Sequence, residues 1–140
     1  SDELLSIAMA SDNTAQRLLG ISNVALLSFS TGASGSGESV DLVREAAEAA
    51  GYIGPIQADA ALNATIAAKK GLGQGDANVL IFPDLNSGNI AYKLCQELAG
   101  AQAIGPFLQG FKKPVCDLSR GATVDDIVAG AIITSAMFAD

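Results

Sequence analysis

The sequence predicts a three-layer α/β fold, α/β/α, with a mostly parallel sheet. Short apolar runs bounded by turn residues alternate with longer segments of helical spacing, and parallel neighbouring strands need such crossover helices between them. Alanine-rich helices and the absence of Trp suit close packing of helix on sheet. A chain of 140 residues with 49% hydrophobic residues is long enough and apolar enough to fold around a core. We therefore expect residues 1–140 to form a single α/β domain.

The N-terminal segment predicts a helix, a strand and a glycine-rich loop. Residues 1–19 place leucines and alanines mostly at three- and four-residue steps, which is typical of an amphipathic helix that ends near Gly20. The apolar run 23–28 is bounded by turn residues and predicts a buried strand. Residues 30–39 contain too many glycines to continue that strand, so a loop follows.

The middle of the chain repeats this alternation. Residues 40–50 carry apolar side chains on one face and charged side chains on the other, and Gly51 stops the predicted helix. A short strand at 55–58 and an alanine-rich helix at 59–69 form a less regular unit. Residues 71–77 predict a flexible connector.

The C-terminal half begins with the clearest buried strand, residues 78–82, which Pro83 closes. Helical spacing returns at 86–98. Two weaker strands and a last helix complete the predicted elements, at 103–108, 114–118 and 124–137.

The charge balance and the absence of His exclude several partners and mechanisms. Eight Lys and Arg against 15 Asp and Glu give a net charge of −7, which opposes binding to nucleic acid or to an anionic membrane. No uncharged stretch reaches the roughly 18–20 apolar residues of a membrane span. Without imidazole, neither a Ser-His-Asp triad nor a histidine-ligated metal site can form. Any proton transfer must use a carboxylate, Lys, Tyr or a thiol.

The two cysteines, Cys95 and Cys116, form no CxxC pair, so neither a disulfide framework nor a thiolate metal cluster is expected. Both are predicted to be small core residues rather than nucleophiles, Cys95 on the apolar face of its helix and Cys116 in a strand. The N-terminus carries no visible secretory signal, and a reducing cytoplasm is the expected location.

Three predicted strand-to-helix connections are candidates for a binding or catalytic site. The loop 30–39 places backbone N–H groups before a helix, which favours an anion, but its glycines match neither the dinucleotide nor the P-loop pattern and it could equally be a flexible turn. Residues 82–89 lie where ligands bind in open α/β sheets, although Asp84 or Asn86 could simply cap the helix.

The third connection, residues 117–126, combines a hydroxyl, a guanidinium and paired carboxylates. The Arg120 guanidinium beside a helix N-terminus suits a phosphate group, because its fork binds two oxygens. The alternative is structural, since Thr123-x-x-Asp126 is similar to a capping box with Asp in place of Glu.

Three segments carry a resemblance to known proteins: VALLSFSTGASGSGESVDLVREA, ANVLIFPDLNSGNIAYKL and AIGPFLQGFKKPVCDLSRGATVDDIV. In their residues and their order they resemble the phosphate acetyl/butyryltransferase family, and specifically the C-terminal part of phosphotransacetylases. The resemblance covers nearly the whole chain. It implies a fold similar to isocitrate and isopropylmalate dehydrogenases, in which two α/β domains flank a cleft, so this chain would be the C-terminal piece of a longer two-domain enzyme.

The resemblance also implies an activity, the transfer of an acetyl group between acetyl phosphate and coenzyme A without a metal or a tightly bound cofactor. Coenzyme A and acetyl phosphate would be substrates, and the full-length form would be a homodimer. Asp126 would take the thiol proton, Ser119 would stabilise charge on the carbonyl, and Arg120 would bind the phosphoryl group. Ser30 and Thr31 would line the cleft. The isolated piece is expected to catalyse poorly.

Two alternatives stay open at this point. A phosphate butyryltransferase would use the same chemistry with a larger acyl pocket. A phosphotransacetylase-like module that senses acetyl-CoA, as in domains fused to malic enzymes, would need the anion contact but not the base. One departure from the family pattern is Glu97, where the resemblance leads us to expect Arg.

Overall fold

The computed structural model describes residues 1–138 and has the alternating helices and strands that the sequence predicts. Its elements are α1 (Asp2–Leu19), β1 (Val24–Leu27), α2 (Glu38–Ala50), β2 (Ile53–Ile56), α3 (Ala58–Leu62), α4 (Ala64–Lys70), β3 (Val79–Ile81), α5 (Leu85–Ala99), β4 (Phe107–Leu108), β5 (Val115–Cys116) and α6 (Val124–Ala136). Helices α1 and α2 end at Gly20 and Gly51, as predicted, and both glycines have the left-handed conformation.

The main sheet has three parallel strands in the order β2-β1-β3. Ala25 of the central strand lies opposite Ile53 on one side and Leu80 on the other. All four residues of β1 are buried, which explains why its sequence is a continuous apolar run. Pro55 lies in β2, an edge strand, where a residue without an N–H group is tolerated.

Helices cover both faces of this sheet, so the predicted three layers are confirmed. Successive side chains of a strand point to opposite faces. Leu26 packs with α1 and α2 around Ala8 and Val43, while Leu27 packs with α3 on the other face around Ala60. Each face therefore has its own apolar cluster.

The last two strands differ from the prediction. β4 and β5 form a separate antiparallel ribbon, with Phe107 opposite Cys116, instead of joining a mostly parallel sheet. The physical reason is the short connection between them, residues 109–114, because parallel neighbours need a crossover of about a dozen residues or more.

The helix predicted at 59–69 is two helices. Asn63 has extended backbone angles that end α3, and its side chain accepts hydrogen bonds from the Thr65 and Ile66 N–H groups at the start of α4. The connector 71–77, predicted to be flexible, packs against this junction. The Ala77 N–H donates to the Ala61 carbonyl at 3.0 Å.

The C-terminal helices leave much apolar surface uncovered. No residue of α5 is buried, and Leu85 and Leu98 are 85% and 82% exposed. Cys95 is exposed too, so its predicted place in the core is wrong, because no other element within residues 1–138 covers that face of α5. Several large apolar side chains of α6 are exposed as well: Val124, Ile127, Val128 and Ile132.

Candidate functional site

The candidate site is the turn between β5 and α6. The Ala122 N–H donates to the Ser119 carbonyl at 3.0 Å, which closes a tight turn with Arg120 and Gly121 at its tip. Thr123 then caps α6. This local geometry brings Ser119 and Arg120 close to the N-terminus of the helix that carries Asp126.

The Ser119 and Arg120 side chains are exposed at this turn. Within residues 1–138, no hydrogen bond or ion pair holds the Arg120 guanidinium, whereas Arg44 forms an ion pair with Asp41. An exposed guanidinium beside the positive end of a helix dipole is well placed to bind an anion through paired N–H donors. The turn can therefore hold a phosphate-like group.

Asp126 is held in the capping box that the sequence left as an alternative. Its Oδ2 accepts from the Thr123 N–H at 2.9 Å and from the Thr123 hydroxyl at 2.8 Å, and the Asp126 N–H donates back to Thr123 Oγ1 at 3.2 Å. The interpretation of Thr123 and Asp126 as a capping box is therefore confirmed. A carboxylate has about four acceptor positions, so this box leaves room for a further donor.

Gln102 is a contact of this site that the sequence analysis missed. Its Nε2 donates to Asp126 Oδ1 at 3.3 Å. The two residues are 24 positions apart, and no local spacing rule connects them. Hydrogen bonds from the Thr123 N–H, from the Thr123 hydroxyl and from Gln102 together lower the pKa of Asp126 below its ordinary value, because each donor favours the charged carboxylate.

We expect Thr123→Ala to raise the pKa of Asp126 toward its ordinary value, because the substitution removes a hydroxyl donor to the carboxylate. A carbon-detected NMR titration of the Asp126 carboxyl measures this shift. Thr134→Ala is the matched control, since the Thr134 hydroxyl bonds to the Gly130 carbonyl in the same helix. An unchanged Asp126 pKa in Thr123→Ala would contradict the capping geometry.

The sign of the linked stability change follows from the direction of that shift. A carboxyl whose pKa is lower in the folded than in the unfolded state stabilises the fold above its unfolded pKa. The contribution of Asp126 is therefore present at neutral pH and is lost as the pH falls through its folded pKa.

The glycine-rich loop is fixed by its own hydrogen bonds, which argues against a flexible turn. Ser30 is 1% exposed, and its Oγ accepts from the Gly35 N–H at 2.8 Å. The Thr31 hydroxyl donates to Gln57 Oε1 at 3.2 Å and accepts from the Gln57 N–H at 3.1 Å. Among the described residues, no hydrogen bond joins this loop to the Ser119 turn.

The connection at 82–89 is a helix cap. Asp84 Oδ1 accepts from the Ser87 N–H at 2.8 Å at the start of α5, which confirms the capping interpretation. The other predicted candidate for the cap, Asn86, is an exposed residue of the first turn.

Residues 1–138 offer neither a metal site nor a membrane-spanning helix. No group of three or more Cys, Asp or Glu side chains in this part of the chain is arranged to hold a metal ion. None of its helices has the length and apolar content that crossing a membrane requires.

Comparisons with known proteins identify similar chains. Residues 1–135 match the family model described as "Phosphate acetyl/butaryl transferase". The chain is 48% identical to the phosphate acetyltransferase of Clostridium acetobutylicum, over 96% of this chain and 44% of that protein. It is 53% identical to the phosphate acetyltransferase of Thermoanaerobacterium thermosaccharolyticum, over 91% of this chain and 42% of that protein.

Two solved structures are also similar. The EutD phosphotransacetylase from Staphylococcus aureus superposes with a TM-score of 0.89 at 41% identity, over 96% of this chain and 45% of that one. A phosphotransacetylase from Streptococcus pyogenes superposes with a TM-score of 0.87 at 46% identity, over 96% of this chain and 44% of that one. The chain thus spans less than half the length of these relatives.

Proposed function

This chain belongs to the phosphate acetyl/butyryltransferase family, and on that premise we propose that it supplies the reacting residues of an acetyltransferase acting between acetyl phosphate and coenzyme A. The observation that carries the proposal is the exposed Arg120 guanidinium at the N-terminus of α6, beside Ser119. Its relatives named phosphate acetyltransferase support the reaction.

In the proposed reaction the coenzyme A sulfur attacks the carbonyl carbon of acetyl phosphate. Asp126 takes the thiol proton, and Ser119 donates a hydrogen bond to the carbonyl oxygen as negative charge develops there. The bond between the carbonyl carbon and the bridging oxygen then breaks, and inorganic phosphate leaves with that electron pair. Arg120 binds the phosphoryl oxygens throughout. In this scheme Thr31 and the loop that Ser30 shapes line the cleft.

The proton transfer needs help from the site. A free thiol has a pKa of about 8.5 and a free Asp about 3.9, so the transfer is uphill by about 6 kcal/mol. The hydrogen bonds that lower the pKa of Asp126 widen this gap. We infer that Arg120 and the helix N-terminus lower the thiol pKa, and that bound substrate desolvates Asp126 and raises its pKa.

The exposed apolar surface of α5 and α6 supports the expectation that this chain works only with more protein around it. Helix α6 is apolar over most of its surface, as buried helices are, yet Gly130 is its only buried residue within the described part of the chain. The relatives supply more than half of their length from outside the matched region. We therefore expect residues 1–140 alone to give little or no turnover.

A hybrid enzyme tests the proposal. Residues 1–140 replace the matched segment of the Streptococcus pyogenes phosphotransacetylase, and acetyl-CoA formation from acetyl phosphate and coenzyme A is followed by the absorbance of the thioester. We expect turnover by the hybrid and little or none by residues 1–140 alone. A hybrid that folds and binds coenzyme A without turnover would contradict the proposed activity. Turnover by residues 1–140 at the rate of the hybrid would contradict the need for the remaining chain.

The choice of acyl group is a separate question. Competition between acetyl phosphate and butyryl phosphate in the hybrid measures it, and we expect acetyl phosphate to have the higher kcat/KM. Homodimer formation and a cytoplasmic location stay predictions from the sequence.

A further inference from the structure

Thr31 and Gln57 lie at the carboxyl edge of the parallel sheet, each after the end of one of two neighbouring strands. Thr31 follows β1 in the glycine-rich loop, and Gln57 directly follows β2. The Thr31 N–H donates to Ser34 Oγ at 2.9 Å, and the Gly32 N–H donates to the Pro55 carbonyl of β2 at 2.9 Å. Ligands bind at this edge in open α/β sheets, so the Thr31 hydroxyl has a fixed place where a ligand can reach it.

Lys70 fixes the orientation of the Gln57 side-chain amide. Lys70 Nζ lies 2.8 Å from Gln57 Oε1, and it also donates to the two carboxylate oxygens of Asp59 at 2.7 and 2.8 Å. A lysine ammonium has three donors and no acceptor. The amide atom that faces Lys70 must therefore be the oxygen and not the nitrogen.

The same amide oxygen fixes the Thr31 hydroxyl. Thr31 Oγ1 lies 3.2 Å from Gln57 Oε1, and the hydroxyl must donate its proton there because an amide oxygen only accepts. The Gln57 N–H donates back to Thr31 Oγ1 at 3.1 Å. A hydroxyl has one proton to donate and two acceptor positions. Among residues 1–138, these two hydrogen bonds leave Thr31 one acceptor position and no donor for a ligand.

We propose that Gln57 is a positioning residue, which directs the Thr31 hydroxyl to accept a hydrogen bond from coenzyme A and not to donate one to acetyl phosphate. The inference rests on the proposed function, which places Thr31 in a cleft with these two substrates. The ionised phosphoryl group of acetyl phosphate offers only acceptors, and its carbonyl oxygen is also an acceptor. Coenzyme A carries amide N–H groups and hydroxyls, which are donors. Thr31 therefore contributes to the affinity for coenzyme A alone.

Steady-state kinetics of the hybrid enzyme, with each substrate varied in turn, test this inference. Gln57→Met keeps the length of the side chain but removes the acceptor, so the Thr31 hydroxyl can turn its proton toward the ligand donor. We expect the KM for coenzyme A to rise about three- to tenfold, the equivalent of one hydrogen bond. The KM for acetyl phosphate and kcat should stay within about twofold, since the lost contact is the same in ground and transition states. A displaced loop would raise both KM values.

Three further variants serve as controls. Gln57→Glu keeps an oxygen that accepts from both Thr31 and Lys70, and it should leave both KM values within about twofold. Thr31→Val/Gln57→Met should raise the KM for coenzyme A no more than Thr31→Val alone, because Gln57 acts through Thr31. Gln16→Met, the same change at an exposed residue of α1, should leave both KM values unchanged.

The inference is overturned if Gln57→Met leaves the KM for coenzyme A unchanged, or if the KM for acetyl phosphate rises as much. If Gln57→Met does not fold, Thr31→Val must show the same split between the two KM values. Failure of the proposed function gives a different result, a hybrid that binds coenzyme A in calorimetry without turnover. The dissociation constants of the same variants for coenzyme A and acetyl phosphate then replace the KM values in both comparisons.

Discussion

Asp126→Asn in the hybrid enzyme is expected to lower kcat for acetyl-CoA formation by about 10²–10⁴-fold, the contribution typical of a general base. The amide keeps the size of the side chain and one oxygen that can accept from the Thr123 N–H, so the cap of α6 is largely preserved. It cannot take up the thiol proton. The KM for coenzyme A should change little, because the substitution removes no anion contact.

Asp125→Asn is the matched control for this experiment. Asp125 is the exposed neighbour in the same first turn of α6 and contributes the same charge near the helix N-terminus. We expect kcat of Asp125→Asn to stay within about threefold of the unmodified hybrid, since a surface charge near a helix end is worth only about 0.3–1 kcal/mol. Equal losses in both variants would assign the effect to charge at the helix end and would contradict the base role.

The pH dependence of the hybrid provides an independent check of the same role. A base works in its carboxylate form, so kcat/KM should fall as the pH drops through the pKa of Asp126 in the free enzyme. Because hydrogen bonds lower that pKa, this acid limb should lie below the ordinary range of an aspartate. Thr123→Ala should move the limb to higher pH.

Gly75→Ala is expected to lower the free energy of unfolding of the chain by about 2–5 kcal/mol, the sum of left-handed strain and overpacking. Gly75 has φ of +72°, and a Cβ built on it would overlap the backbone at Asn63 and Ala64. That backbone is the junction of α3 and α4, and it cannot move aside as a flexible side chain could. The connector would have to separate from the junction.

Gly20→Ala separates the two contributions, because Gly20 has the same φ of +72° and no atom within 4 Å of the added Cβ. We expect the free energy of unfolding of this variant to fall by the strain contribution alone, about 1–2 kcal/mol. Urea unfolding followed by circular dichroism measures both variants. Equal losses at the two positions would show that the connector does not pack against Asn63 and Ala64.

The correct sequence predictions concern features set by neighbouring residues. The ends of α1 and α2 at glycines, the apolar run of β1 and the Thr123–Asp126 box each depend on interactions within one or two turns of chain. The two apolar faces of β1 also follow from its sequence, since side chains alternate along any strand.

The incorrect predictions share a different cause. Helical spacing placed Cys95 on an apolar face, but spacing does not say whether another element covers that face. Apolar composition indicated strands at both sides of residues 109–114 without fixing their partner, and the short loop then made them an antiparallel ribbon. The predicted helix 59–69 is interrupted at Asn63, because the Asn63 side chain accepts hydrogen bonds from backbone N–H groups at the start of α4.

The sequence by itself determined the alternation of helices and strands, the layers and the family resemblance, because each rests on local spacing or on motif residues. Only the tertiary structure decided that Gln102 contacts Asp126 and that Gln109 ties its loop to Ser11. Ser11 and Gln109 are 98 positions apart. Such contacts depend on the packing of whole elements, which no pattern of neighbouring residues encodes.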